Sequence, residues 1–174
     1  MRSALHCLLR SSIEHPCTGS LPDAMEFSFL PPVDELQIRN LIARYALYTD
    51  AGEPDAFADL YVVDGSWTRE NSPPAALGGS GLPRQTCRGR EALAELIVAS
   101  AINRFQRKVR HQMTDVLVEP GESVNEAKVV FRAIVTTWMD GPGKIAMSVH
   151  YRGTCVRTDE GWRFRDISAR VLPE

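Results

Sequence analysis

The chain has 174 residues, of which 44% are hydrophobic and 24% are charged. These values fit one globular domain and exclude a wholly disordered chain, a collagen-like repeat and a coiled coil. The net charge of −2 shows no basic excess, which disfavours nucleic acid as the main partner. No apolar run reaches the roughly 18–20 residues that cross a bilayer, so we expect no membrane partner.

Residues 1–30 are predicted to form an irregular N-terminal extension, and residues 31–174 are predicted to form a single domain. The apolar run at 4–9 is short and is interrupted by His6, so it does not fit a secretory signal. Met25 is a candidate for the natural start, and a tail that packs on a partner subunit is the alternative.

The cysteines show neither the spacing of a zinc site nor that of a disulfide framework. We therefore expect no metal, free thiols and a cytoplasmic protein. The four positions are Cys7, Cys17, Cys87 and Cys155.

Two helices are predicted after a pair of prolines. Asp34 is the predicted N-cap of the first helix, and Gly52 is its predicted C-cap. Pro54 suits the first turn of a short second helix over residues 55–61. The apolar residues of the first helix recur at steps of three and four, as on one helical face: Ile38, Leu41, Ile42, Tyr45 and Tyr48.

A short strand at 66–70 is predicted to lead into a long loop. Residues 71–88 are rich in proline, glycine and serine, which is typical of a lid or a binding loop. A third helix is predicted to begin at Gly89 and to end near Ile102.

The second half of the chain has the two-residue period of β-strands. Four long runs at 109–118, 125–139, 144–157 and 161–171 are separated by glycine-containing turns. Helices first and strands afterwards indicate an α+β fold with an antiparallel sheet. The three N-terminal helices are the only cover for that sheet, so we expect a curved, cone-shaped sheet packed on them and enclosing a pocket.

Five segments in this order resemble the SnoaL-like branch of the nuclear-transport-factor-2-like superfamily: 38–52, 57–67, 89–96, 110–119 and 161–164. The resemblance spans about residues 34–172 and implies a cone of curved sheet around a cavity, in a homodimer or a homotrimer. The family includes scytalone and bile-acid dehydratases, steroid isomerases, polyketide cyclases and dioxygenase small subunits. The fold therefore does not fix the function.

The resemblance also implies a catalytic pair. In dehydratase-like members, an aspartate that ends the first helix pairs with a histidine on the first long strand, and the matching positions are Asp50 and His111. Some members use a tyrosine of that helix, which matches Tyr45. A carboxylate can orient an imidazole and raise its basicity, so that it accepts and later returns a proton. Taken alone, Asp50 fits better as a turn residue before Gly52.

Further candidates are expected to bind the substrate. Tyr48 is a possible hydrogen-bond donor to a carbonyl oxygen, and alternation places Met113, Asp115 and Leu117 with His111 on the pocket side. His150 falls among the polar positions of its strand, but scytalone dehydratase uses a second strand histidine in this general region. The aromatic candidates for core or pocket walls are Trp67, Phe131, Trp138 and Tyr151.

These residues favour a small cofactor-independent enzyme that abstracts a proton from a cyclic, mostly apolar hydroxylated or ketonic substrate, in a dehydration or an isomerisation. The alternative is a non-catalytic ligand-binding protein or a dioxygenase-type small subunit. Hydrogen-bond reach between Asp50 and His111 inside one pocket would favour the enzyme. The arginine-rich stretches at 104–110 and 163–170 are interpreted as solvated surface.

Overall fold

The computed structural model describes residues 29–70, 81 and 83–172. Nearly all of the predicted N-terminal extension, including Met25, and most of the predicted loop at 71–88 lie outside the described residues. The helices are α1 (Pro32–Ala51), α2 (Pro54–Ala58) and α3 (Arg90–Ile97), which continues as a π-helical segment (Val98–Arg104). The strands are β1 (Tyr61–Arg69), β2 (Gln85–Arg88), β3 (Val109–Pro120), β4 (Glu126–Thr137), β5 (Lys144–Thr158) and β6 (Gly161–Leu172).

The predicted α+β fold is confirmed: the helices pack on a curved six-stranded sheet of order β2-β1-β6-β5-β4-β3. Strands β3 to β6 correspond to the four predicted runs, and their pairings are antiparallel. The pairing of β1 with β6 is parallel. Strand β2 lies within the predicted loop at 71–88 and pairs with the end of β1.

Helix α1 supplies the main cover of the sheet. Its predicted apolar face is buried at Ile38, Leu41, Ile42 and Tyr45. The predicted C-cap is confirmed, because Gly52 has a φ of +67° and its N–H donates to a carbonyl of the last turn. The helix therefore ends at the residue after Asp50, which fixes where that carboxylate leaves the helix.

The prediction for the start of α1 is wrong. The helix begins at Pro32, and no side chain caps its first turn. Asp34 is instead buried, with 3% exposure, and accepts hydrogen bonds from the indole nitrogen of Trp162 at 3.1 Å and from the guanidinium of Arg157. These bonds attach the first turn of α1 to β5 and β6.

A bulge in β3 changes which of its side chains face the helices. Asp115 has a φ of +51°, and the register against β4 is shifted between Thr114 and Leu117. Met113 packs against the core, but Asp115 is exposed and Leu117 is 49% exposed. The prediction that His111, Met113, Asp115 and Leu117 share one face is therefore correct for the first two and wrong for the last two.

The core fills the space between the helices and the inner face of the sheet. Phe57, Phe131 and Phe164 are fully buried there, and the ring of Tyr45 lies within 6.2 Å of all three. None of the described helices combines the length and the apolar character needed to cross a bilayer. The packing leaves one side of this core open as a cavity, which holds the candidate site.

Candidate active site

A cavity of about 370 Å³ lies between the inner face of the sheet and the helices. Helix α1, the π-helical segment and strands β1, β3, β5 and β6 all contribute to its walls. The walls are mainly apolar, with a few polar groups, which is the usual character of a small-molecule site. The polar side chains on the walls are those of Tyr45, Thr49, Trp67, Arg69, Ser100, Arg104, His111 and Tyr151.

The structure brings Asp50 and His111 together at this cavity. Oδ1 of Asp50 lies 2.6 Å from Nδ1 of His111, and Oδ2 accepts the backbone N–H of His111 at 2.9 Å. Strand β3 is an edge strand, so its outward N–H groups have no strand partner and Asp50 takes one of them. The side chains of His111 and Asp50 are only 13% and 12% exposed.

These hydrogen bonds define which imidazole nitrogen is reactive. A carboxylate only accepts, so Nδ1 carries a proton, and in the neutral imidazole Nε2 is the nitrogen with the lone pair. His111 lines the cavity, so its imidazole is placed to act as a general base there. The sequence prediction of an Asp50–His111 pair therefore has the geometry that its chemistry requires.

Asp50 is held against an unfavourable local field. A carboxylate in the last turn of a helix lies at the negative end of the helix dipole. The two donors from His111 offset this cost. Arg107 also donates from Nε to the carbonyl oxygen of Ala51 at 2.9 Å, which places a positive charge at the same helix end.

Tyr45 supplies a neutral hydroxyl beside the dyad. Its oxygen accepts a hydrogen bond from Nε1 of Trp67 at 3.0 Å, and the ring of Tyr151 lies 5.6 Å away between centroids. Burial raises the pKa of Tyr45 to about 12, although hydrogen bonding with Trp67 and Tyr151 opposes that shift. An indole only donates, so the bond from Trp67 does not use the proton of Tyr45, which can be donated to an oxygen on a bound molecule.

We expect three of the four tyrosines to remain protonated in the folded protein well above pH 10. Burial raises the pKa of Tyr45 to about 12 and that of Tyr61 and Tyr151 well above the ordinary value. Unfolding then releases protons, so the free energy of unfolding is maintained below pH 10 and falls from about pH 10 to about pH 12. Absorbance at 295 nm and urea unfolding measure the two effects.

The matched control for this titration is Tyr45→Phe. It should remove one late-titrating tyrosine and flatten the fall in the free energy of unfolding above pH 10. A folded wild-type protein in which all four tyrosines titrate near pH 10 would contradict the buried hydroxyl network.

Several predicted substrate contacts are corrected by the structure. Trp67 lines the cavity, but Tyr48 and Met113 only pack against the core behind it. Phe131 is fully buried and stacks on Tyr151 with ring centroids 4.7 Å apart, so it supports a wall residue and does not form the wall. Trp138 is 45% exposed and lies away from the cavity.

His150 lies on the opposite face of the sheet from the cavity. Its neighbours Val149 and Tyr151 line the cavity, whereas His150 lies beside Glu70 and Arg170 on the outer face. The two-residue period of the strand predicted this polar face, and the resemblance to scytalone dehydratase pointed to the wrong side. Within residues 29–70, 81 and 83–172, no three His, Cys, Asp or Glu side chains come together as metal ligands.

Two residues that line the cavity, Arg69 and Arg104, were not predicted from the sequence. Arg69 follows Trp67 by two positions on β1, so alternation could have placed both on one face. Arg104 had no usable local signal, because the π-helical segment changes the angle between successive side chains at that point.

The family profile that matches this chain is that of the SnoaL-like domain, over residues 33–168. The chain belongs to the SnoaL-like family. Among curated proteins, no sequence matches this chain. Family membership confirms the resemblance seen in the sequence and agrees with the cone-shaped sheet.

Solved structures share the fold of this SnoaL-like protein. An NTF2-like protein with a cystatin-like fold from Novosphingobium aromaticivorans is 26% identical, with a TM-score of 0.67 over 80% of this chain and 82% of that one. A provisionally assigned scytalone dehydratase from the same organism is 21% identical, with a TM-score of 0.62 over 81% and 85%. Hexachlorocyclohexane dehydrochlorinase LinA-type3 from Novosphingobium barchaimii is 17% identical, with a TM-score of 0.64 over 81% and 88%.

Proposed function

We propose that this SnoaL-like protein is a small cofactor-independent enzyme that abstracts a proton from a cyclic, mostly apolar hydroxylated or ketonic substrate. One observation carries the proposal: the carboxylate of Asp50 lies 2.6 Å from Nδ1 of His111 at the wall of an apolar cavity. The bond directs the basic nitrogen, Nε2, away from Asp50. A protein that only binds a ligand does not need this arrangement.

The proposed first step breaks a C–H bond next to a carbonyl group. Nε2 of His111 takes the proton, and the electron pair moves to the carbonyl oxygen as an enolate. Asp50 stabilises the resulting imidazolium through Nδ1. The hydroxyl of Tyr45 donates to the enolate oxygen, where negative charge develops.

The second step depends on the substrate. With a hydroxyl group on the β carbon, the enolate reforms the carbonyl, the C–O bond breaks, and His111 returns its proton to the departing oxygen, so that water leaves. With an adjacent double bond, His111 returns the proton to a different carbon, and the substrate is isomerised. One imidazole serves both routes because it alternates between base and acid.

Names of structural relatives support an elimination. The provisionally assigned scytalone dehydratase and the dehydrochlorinase LinA-type3 are both named for reactions that remove a small molecule from a substrate. The non-catalytic alternative leaves the hydrogen-bonded pair of Asp50 and His111 without a role. We propose a small hydrophobic cyclic molecule as the partner, and a homodimer or homotrimer remains a prediction.

A panel of cyclic β-hydroxy ketones and β,γ-unsaturated ketones tests the proposed function. Each compound is incubated with the protein in D₂O. Conjugated enone is followed by ultraviolet absorbance, and deuterium at the α carbon is followed by NMR. We expect at least one compound to show exchange or enone formation that depends on the protein. Absence of both signals across fused-ring and single-ring members, with a folded protein, would contradict the proposal.

A further inference from the structure

Among the described residues, no carboxylate is paired with either of the two arginines at the cavity. Arg69 and Arg104 both line the cavity that His111 lines. Neither takes part in any of the ion pairs formed among the described residues. The other residues on the cavity wall, within the described part of the chain, include no Asp or Glu, so these two charges are not neutralised there.

Arg69 is held in place by neutral acceptors. Its Nε and Nη2 donate to the carbonyl oxygen of Pro83 at 3.3 and 3.2 Å, and Nη2 also donates to Oε1 of Gln85 at 2.9 Å. A guanidinium has five N–H donors, and within the described part of the chain the two on Nη1 have no acceptor, so they can bind a ligand. Arg69 is half-buried on β1, where bulk water screens its charge less than at an open surface.

Arg104, an exposed residue, ends the π-helical segment on the helical side of the cavity. Its guanidinium carbon lies 5.0 Å from the ring centroid of Phe105, another wall residue. A cation–π contact orients the guanidinium but leaves its charge in place. The charge is therefore available to an anion that enters the cavity.

Two of the hydroxyl groups on the cavity wall, those of Thr49 and Ser100, are already used by the protein. Thr49 donates to the carbonyl oxygen of Tyr45 at 2.7 Å, and Ser100 donates to that of Leu96 at 2.6 Å. Strong donors toward a bound molecule are thus concentrated in the two guanidinium groups. This is more positive charge than a neutral ketone would require.

We infer that the substrate is an organic anion whose carboxylate binds to Arg69 and Arg104 while its ring reaches His111. The inference rests on the proposed function, because it assigns the substrate class of the same cavity. Strand β1 is separated from β3 by β6, β5 and β4, so Arg69 and His111 stand on different walls. The carboxylate therefore lies at the end of the molecule away from Asp50, whose negative charge would repel it.

Binding of 2-naphthoate and of its neutral counterpart 2-naphthamide, measured by isothermal titration calorimetry, tests this inference. We expect the naphthoate to bind at least about tenfold more tightly, because a hydrogen bond to a charged group is roughly twice as strong as one between neutral groups. Arg69→Gln and Arg104→Gln should each weaken naphthoate binding about tenfold and change naphthamide binding less than about twofold. Added salt should weaken only the naphthoate.

Arg88→Gln is the matched control. The guanidinium of Arg88 also donates to a backbone carbonyl, that of Asp64 at 3.0 Å, but it does not line the cavity. Its naphthoate affinity should equal that of the wild type. Equal affinity for the two probes, absence of naphthoate binding, or unchanged binding in both folded arginine variants would each overturn the inference.

The same probes separate this inference from the proposed function. In a His111→Gln protein the carboxylate preference should persist, because binding requires no proton transfer. Turnover of neutral ketones together with equal affinity for the two probes would overturn the anion inference alone. A retained carboxylate preference in a protein that turns over neither the ketone panel nor analogues of its members that carry a carboxylate would support the anion site and contradict the proton-transfer proposal.

Discussion

Replacing His111 with glutamine is expected to lower kcat by roughly two to four powers of ten, measured on a compound of the cyclic ketone panel that the wild type converts. Glutamine can still donate to Oδ1 of Asp50, but it has no basic nitrogen to accept the substrate proton. The backbone N–H of His111, which also bonds Asp50, is unaffected by the change. The loss should therefore fall on kcat, with a much smaller change in KM.

The partner substitution Asp50→Asn should also lower kcat, because an amide provides no charge to stabilise the imidazolium. The two side chains act as one unit through the 2.6 Å bond. The double variant should therefore be no slower than His111→Gln alone, whereas independent residues would give multiplied losses.

His150→Gln is the matched control for this series. It makes the same chemical change in a strand histidine that lies on the outer face of the sheet. Its turnover should stay within about twofold of the wild type. A folded His111→Gln protein with unchanged turnover would remove the proposed mechanism, whatever the other variants do.

Truncating Phe131 to alanine is expected to lower the free energy of unfolding by about 3–5 kcal/mol. The side chain has 0% exposure and stacks on Tyr151 at a centroid distance of 4.7 Å. Removing it leaves a void behind the cavity wall and lets Tyr151 tilt away from Tyr45. Urea unfolding followed by far-ultraviolet circular dichroism gives the free energy.

Two further variants make the Phe131 result interpretable. Trp138→Ala removes a larger ring from a position that is 45% exposed, and it should cost no more than about 1 kcal/mol. Phe131→Leu keeps much of the buried volume and should cost less than about 1.5 kcal/mol, which keeps the test usable if the alanine variant does not fold. A Phe131→Ala protein of normal stability that fails to bind ligand would instead place this ring in the binding site.

Local periodicity was sufficient for most of the elements. The stripe from Ile38 to Tyr45 and the glycine at 52 specify α1 and its end, because helical spacing and a left-handed cap are properties of neighbouring residues. The four long strands follow from alternation in the same way. Strand β2 could not be predicted, because residues Gln85–Arg88 are a strand only through their pairing with β1.

Only some residues of the candidate site could be predicted from the sequence. Asp50, His111 and Tyr45 were identified through family resemblance, since no local pattern distinguishes a catalytic aspartate from a turn residue. Leu117 was assigned to the wrong face because the bulge at Asp115 interrupts alternation. Trp138 was expected in the pocket on its size and aromatic character alone.

The sequence by itself determined the α+β order, the end of α1 and, on most strands, which side chains face the core and which face solvent. Each depends on residues within a few positions of one another. Only the tertiary structure decided that Asp34 binds Trp162, that His111 meets Asp50, and that two arginines lie at the same cavity. Those contacts join residues dozens of positions apart, because the curvature of the sheet and the packing of α1 bring distant chain segments to one place.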